Sequence, residues 1–351
     1  MKQYLLAGDI GGTKTLLSLA ETTGQPGTPL TQFTPLVQET YPSGDYGNFL
    51  NLVLAFLQTA QAQLGQLPLI AQACFGIAGP VVNQTSVITN LSWPPLVAED
   101  LAQSLQIPKV LLINDFTAIG YGLLGLEKND YICLQDVPPA PQAPKAILGA
   151  GTGLGEGFLI PTSPNQYRVF SSEGSHGDFA PRHAQEFQLL EFFKTHYQID
   201  RVSIDRVVSG TGIPVIYHFL QQQSARPVAP ALAPLYSAWQ QSPETTPMFA
   251  SAISQAALNR EDAVSEATLK LFVSAYGAEA GNLALKLLPY GGVYVAGGIA
   301  PKILPLLQDG TFLTAFQEKG RMKGLLVNMP VYVITHPQIG LKGAMIAAAI
   351  A

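Results

Sequence analysis

The run GDIGGTKT sets Asp9 ahead of Ile10, Gly11, Gly12 and Thr13, with Gly8 just before it. Glycines let backbone N–H groups come close to phosphate oxygens, and the Thr13 hydroxyl adds a donor. Asp9, closing an apolar run, is placed to hold a hydrated Mg²⁺, an ion that takes a carboxylate together with waters and phosphate oxygens. GAGTGLGEG at 149–157 repeats the pattern, with Gly151, Thr152 and Gly153 in the equivalent places. It holds a G-x-G-x-x-G-like run but lies between two strand-like segments instead of opening a helix, a poor dinucleotide fingerprint. Neither run ends in Gly-Lys-Ser/Thr, so neither is a Walker A loop. Ordinary hairpin glycines would explain either run alone; the matched pair suggests two jaws on one polyphosphate.

Asn114-Asp115 follows the strand-like KVLLI and precedes an apolar helical run. An aspartate there can cap the helix or accept the proton of an attacking hydroxyl. The residues alone favour the cap. Glu173 and His176, three apart in SEGSHGDF, could be a metal pair, but no third ligand cluster is in view. His183, His196, His218 and His336 have no comparable setting and read as structural. Asp205, ahead of RVVSG, suits the first turn of a helix, where the dipole favours an acid. Gly297–Gly298 follow the strand-like VYVA and form either a packed turn or a surface of bare backbone. Trp93 in TNLSWPP reads as a packing residue.

The elements that must position these residues follow from periodicity. Tyr4–Glu21 reads as two strands on a tight hairpin, with a third extended segment after a turn at Gly24–Pro29. Phe49, Leu52, Val53, Phe56 and Leu57 mark one helix face. Leu69–Ala78 and Lys109–Ile113 read as strands with a helix, Val97–Leu105, between them, which points to an α/β sheet. After the proline-rich loop at 137–144 the opening pattern recurs in AILGAGTGLGEGFLIP, a weak internal repeat. Helices are expected over Phe187–Tyr197, Arg206–Gln221, Glu266–Leu288 and from Leu341, with strands at VYVAGG and PVYVIT. Residues 222–247, with five prolines, read as an irregular excursion.

At 351 residues the chain has room for roughly two domains. Hydrophobic residues are 47% and charged ones 12%, so the chain can bury a sizeable core and is not disordered. A net charge of −5 has the wrong sign for binding nucleic acid through phosphate neutralisation. The two cysteines, Cys74 and Cys133, supply neither a disulfide framework nor a zinc site and read as small core residues. Asp9 ends the first apolar run too early for a signal sequence, and no run of 18 apolar residues offers a membrane span. The expected address is the cytoplasm.

Taken together, the motifs resemble the sugar-kinase, actin and heat-shock ATPase superfamily and, more closely, the bacterial glucokinase family. The resemblance runs from GDIGGTKT through FGIAGPV (75–81), TNLSWP (89–94), LINDFTAIGYGL (112–123) and LGAGTGLGEGFL. It continues through SSEGSHGDFAPR (171–182), DRVVSGTGI (205–213), GNLAL (281–285), GGVYVAGGIAPKIL (291–304) and ITHPQIGLKGA (334–344). Each motif is modest; so many in one order is a strong signal. Residues 222–265 match least, and nothing is carried onto them.

The resemblance implies a two-domain α/β, actin-like (ribonuclease H-like) fold with a nucleotide and sugar cleft between domains. The small domain would be 1–113 plus 339–351, the large one 114–338 with helical insertions. It implies an ATP-dependent glucokinase phosphorylating the 6-hydroxyl of glucose, with Mg²⁺, acting as a homodimer. Asp115 falls on the catalytic base, and Asn114, Glu173 and His176 on the glucose ligands. The family usually carries Glu where this chain has Asp205, one methylene shorter, which puts sugar selectivity in question. Gly297 and Gly298 fall on the adenosine motif. Two alternatives stand beside this one. A broader hexose kinase of the repressor/kinase group often carries a cysteine-rich zinc motif, which two isolated cysteines cannot form. A non-catalytic sugar sensor is the other, but no DNA-binding helix pair precedes Gly8 and the candidate base is present.

Overall fold

The apolar alternation on either side of Gly11–Gly12 folds as a hairpin. Strands β1 (Lys2–Ile10) and β2 (Lys14–Thr23) pair antiparallel in register from Lys2–Thr23 to Ile10–Thr15. The computed structural model describes residues 2–23, 33–88, 91–164, 166–242 and 245–350. The turn expected at Gly24–Pro29, and Thr89–Asn90 of the TNLSWP motif, lie outside the described residues. The chain divides into two units: Met1–Asp130, Thr162–Ser171 and His336–Ala351 form one, Tyr131–Pro161 and Ser172–Thr335 the other.

In the first unit, β3 (Phe33–Pro42) pairs with β2, and α1 (Phe49–Leu64) follows, its N-terminus capped by the Asn48 side chain. That helix buries the five residues whose spacing defined its face, Phe49, Leu52, Val53, Phe56 and Leu57. Next come β4 (Ile70–Ile77), a small sheet of β5 (Val81–Val82), β6 (Thr85–Ser86) and β7 (Leu96–Val97), then α2 (Ala98–Leu105), β8 (Val110–Asn114) and α3 (Asp115–Gly122). The main sheet has the order β3-β2-β1-β4-β8, with β1, β4 and β8 parallel. Parallel neighbours require crossovers, which α1 and α2 supply. Trp93 is a packing residue, as expected: it is buried, its Nε1 donating to Tyr46 O at 2.7 Å.

The second unit begins with β9 (Tyr131–Gln135). The recurring glycine hairpin is β10 (Lys145–Ala150) and β11 (Leu154–Ser163), followed by β12 (Gln166–Ser172), of which all but Ser172 is counted with the first unit. Helices α4 (Ala184–Tyr197), α5 (Ile204–Val207), α6 (Gly212–Gln223), α7 (Ala233–Gln241), α8 (Thr246–Leu258) and α9 (Ala263–Leu287) come next. Then follow β13 (Val293–Ala296), α10 (Leu304–Leu307), α11 (Thr311–Gln317), α12 (Lys323–Leu326) and β14 (Val331–Ile334). The sheet order is β12-β11-β10-β13-β14-β9, with β10, β13 and β14 parallel. The internal repeat is therefore topological: in each unit a glycine hairpin leads into a parallel ladder. The terminal helix α13 (Ile339–Ile350) returns to the first unit.

Three expectations need correcting. The helix read over Arg206–Gln221 is two, α5 and α6, because Gly210 N–H leaves the helical path to donate to Gly151 O at 2.7 Å. The excursion at 222–247 is not irregular throughout: α7 forms within it, with Pro234 in its first turn, where proline is tolerated. Cys133 is exposed, unlike buried Cys74: it lies on β9, an edge strand whose adjacent Ile132 is exposed as well. Among the described residues no helix is long and apolar enough to cross a membrane.

Candidate active site

In the first unit, sheet register assembles one set of candidate residues. Asp9 pairs with Gly76 and Ile77 with Asn114, so β1, β4 and β8 end side by side. Their carboxyl ends form the edge where open α/β sheets bind ligands. Asp9 and Asp115 are near enough at that edge for the Asp9 charge to raise the Asp115 pKa. Burial keeps Asp9 itself above the usual carboxylate range, opposed by Lys14. Its carboxylate lies against Gly340 in the first turn of α13. The glycine turn is tightly braced: Gly11 N–H donates to Lys14 O at 3.0 Å, and Ser43 Oγ to Gly11 O at 2.8 Å. Gly11 N–H is thus spent on the turn. Gly8 sits inside β1, where a Cβ would lie 2.7 Å from the Leu17 side chain and 2.8 Å from Phe75. Ile10 is a core residue.

The capping question at α3 resolves onto Asn114. Its Oδ1 accepts from Phe116 N at 2.9 Å and Thr117 N at 3.3 Å, while Nδ2 donates to Gly79 O at 3.1 Å and Asp115 Oδ1 at 2.8 Å. All four hydrogen-bonding positions of that amide are used. Asp115 Oδ1 also accepts from Phe116 N at 2.9 Å. Burial pushes the Asp115 pKa up to about 6, with Asp9 adding to it and the N–H groups holding it back.

In the second unit the β10–β11 hairpin is pinned from several sides. Gly151 N–H donates to Gly153 O at 2.7 Å, and Ala150 N–H to the Tyr276 hydroxyl at 3.0 Å. Leu154 N–H donates to Asp205 Oδ1 at 2.6 Å, and a Cβ at Gly153 would lie 2.7 Å from the same oxygen. Asp205 therefore does more than favour the helix dipole: it ties α5 to the hairpin. Glu173 and His176 flank a single 3₁₀ turn, His176 Nε2 lying 3.6 Å from Glu173 Oε2, with both side chains largely exposed. Ile204 N–H holds the end of that turn by donating to Gly177 O at 2.9 Å.

Gly151, Thr152 and Gly298 line one cavity of about 1240 Å³ in this unit. Gly297 has φ +83°, and a Cβ there would strike Ala150 O, so it serves the turn. Around Gly298 the space is open. Lys302, four residues beyond it, and Arg206 add positive charge to the same wall. The opposite side comes from α7 and α8, including Trp239, Ser254 and Gln255. No motif in 222–265 pointed to that wall; Lys302, at the end of GGIAPK, was findable from its place after the glycines. His196 and His218 also reach the cavity, His196 stacked on Phe192 and Trp239 and His218 tilted against Tyr236.

This architecture is that of the sugar kinases with an actin-like ATPase fold. A glucokinase from an Antarctic psychrotroph superposes with a TM-score of 0.80 at 28% identity over 99% of both chains. A glucokinase of the ROK family from Streptomyces griseus shares the fold, at a TM-score of 0.62 over 99% of this chain and 100% of the other. The glucokinase family model matches residues 6–351. The glucokinase of Nostoc punctiforme is 51% identical over 348 residues, 98% of each chain. The chain belongs to the glucokinase family, and it is an ATP-dependent hexose kinase.

Proposed function

We propose that this chain transfers the γ-phosphoryl group of Mg-ATP to the 6-hydroxyl of D-glucose, with Asp115 as the general base. The observation that carries the reading is the Asp115 carboxylate itself. It is half-buried at the start of α3, one oxygen is held by Asn114 Nδ2 and Phe116 N, and its pKa is raised to about 6. Such a group is oriented and near the operating pH, which is what proton transfer asks of a base. Phosphoryl transfer otherwise needs positioning and charge neutralisation.

Glu173 and His176 serve as sugar ligands, pairing acceptor and donor groups with hydroxyls. Asn114 acts on the sugar through Asp115, or directly by exchanging its bond to Gly79. Asp205 reaches the sugar with the oxygen not bound to Leu154. Thr13, Thr152 and the backbone of the two turns at Gly12 and Gly153 hold phosphates, with Gly8, Ile10, Gly11 and Gly151 shaping those turns from within, and Gly298, on the turn that Gly297 allows, holds the adenosine. Asp9 fits a Mg²⁺ role: it is a hard oxygen donor, and a dication would offset the repulsion between Asp9 and Asp115. Among the described residues no cluster of three or more His, Cys, Asp or Glu could hold a metal, so waters and phosphates would complete the shell. When bound, the ion would neutralise charge on the β- and γ-phosphates. The assignment to a homodimer follows the family resemblance, and the cytoplasmic address follows the apolar pattern of the sequence.

The test is ADP formation with Mg-ATP and glucose, mannose, fructose, N-acetylglucosamine or no sugar, with Asp115→Ala alongside. Glucose-dependent turnover that falls on the order of 10²–10⁴-fold in the variant, with glucose binding retained, is expected. Equal turnover by variant and parent would sink the assignment of the base.

A further inference from the structure

Glu156 is a buried acid that the reaction above does not use. It lies on β11 two residues beyond Leu154, is 1% exposed, and its Oε1 has no hydrogen-bond partner among the described residues. A buried oxygen left without a partner is costly, so an apolar side chain would serve packing alone better. The other oxygen, Oε2, fills the place of a Cβ at Gly174, which lies in the turn between Glu173 and His176. Gly174 has no positive φ, so its backbone shape does not demand glycine. What demands it is space: a side chain would strike the Glu156 carboxyl and come within 3.0 Å of Ser172 Oγ. Glu156 and Gly174 are thus a matched pair directly under the sugar turn.

We propose that Glu156 is a positioning residue for sugar binding: its carboxyl group fills the space beneath Gly174 and sets the main-chain path that aims Glu173 and His176. The proposal rests on the reading of Glu173 and His176 as sugar ligands. Around Gly174 the turn is held by short local bonds, Gly174 N–H to Ser172 Oγ at 3.0 Å and His176 N–H to Glu173 O at 3.0 Å, while Arg201 Nη1 to His176 O at 2.8 Å and Ile204 N–H to Gly177 O at 2.9 Å hold its far end. Its underside therefore depends on what packs there. Behind Glu156 stands α9, with Glu279 raising its pKa and Lys286 lowering it; burial is the largest cause, and the pKa reaches about 7. Tyr276 on the same helix also feels its charge.

The test is a mutant cycle read by glucose KM, ATP KM and kcat, with thermal melting to show that each protein is folded. Gly174→Ala should raise glucose KM on the order of ten-fold, leaving kcat and ATP KM within about two-fold, because the ligands are misaimed. Adding Glu156→Ala should recover most of that loss, since the atom struck by the new Cβ is gone. Glu156→Gln, which keeps the shape, should bind glucose like the parent. If Glu156→Ala does not fold, Glu156→Asp in the Gly174→Ala background replaces it. An absence of recovery in the double variant, or an equal rise in ATP KM, overturns the proposal. Glu173→Ala and His176→Ala run in parallel: unchanged glucose KM in both refutes the ligand reading, whereas a rise in both without recovery in the cycle refutes only the role of Glu156.

Discussion

At Asp115 two demands meet in one carboxylate. As the proposed base it must be anionic to accept a proton, yet basic enough to want one. Burial and the Asp9 charge move its pKa up to about 6, while the Asn114 amide and backbone N–H groups keep it from rising further. Activity therefore belongs to the deprotonated form. We expect kcat/KM for glucose to fall about ten-fold per pH unit below about 6, reading the base in the free enzyme. A profile flat down to pH 5 would contradict it. Asp205 makes a second demand visible. Its bond to Leu154 N–H fixes the β10–β11 hairpin proposed to hold phosphate, so Asp205→Ala should raise ATP KM on the order of ten-fold as well as weakening glucose. Asp205→Asn keeps an acceptor and should spare most of the ATP effect. Steady-state kinetics varying each substrate in turn separates these outcomes.

Helices and strands carry these residues to their places, and the tightest fit is between α3 and α13. A Cβ at Gly343 would overlap Ala118 O, and one at Gly122 would meet the Ile339 side chain at 2.7 Å. Backbone rides on backbone there, and the start of α13 also borders Asp9. Gly343→Ala should push the helices apart, destabilise the chain by about 1–3 kcal/mol or more in urea unfolding, and lower kcat by moving Asp115. Unchanged stability would mean that α13 shifts freely. Much of this was legible from residue spacing: the two hairpins, the α1 face, the parallel strands and the long α9 all stand where periodicity put them. What was not legible lay in contacts between distant segments. No local pattern says that Asn114, not Asp115, caps α3, or that Gly210 breaks a helix to reach Gly151. Cys133 looked internal because an edge strand has the same apolar composition as a central one. Helices α7 and α8 carry no motif, yet they wall the cavity at Gly298, because packing there asks only for shape.

Across the whole molecule the acids that the fold desolvates set how stability follows pH. Asp115 and Glu156 have pKa values raised from 3.8 to about 6 and from 4.5 to about 7, and Asp9 and Glu279 are raised as well, all chiefly by burial. An acid with a higher pKa in the folded chain holds more protons folded than unfolded. Its contribution is fully present below the unfolded pKa and is lost as pH rises through the folded one. For this set the loss runs from about pH 4 to beyond about 7. His196 and His218 act in the opposite sense, because burial lowers their pKa values and favours the neutral rings; their contribution is lost as pH falls below the ordinary histidine value. Asp130, lowered by Glu127 N–H and Lys342, adds to the loss at acid pH. Stability should therefore fall on both sides, with Glu156 responsible for a share of the alkaline limb on the order of 3 kcal/mol. Glu156→Gln removes the ionisation while keeping the shape. Its melting temperature should match the parent's near pH 5 within a few degrees and exceed it by several degrees at pH 8.5, as read by calorimetry at both pH values. An equal melting point at pH 8.5 would mean that Glu156 is already solvated when charged, by water at Oε1 or by movement of the turn above it.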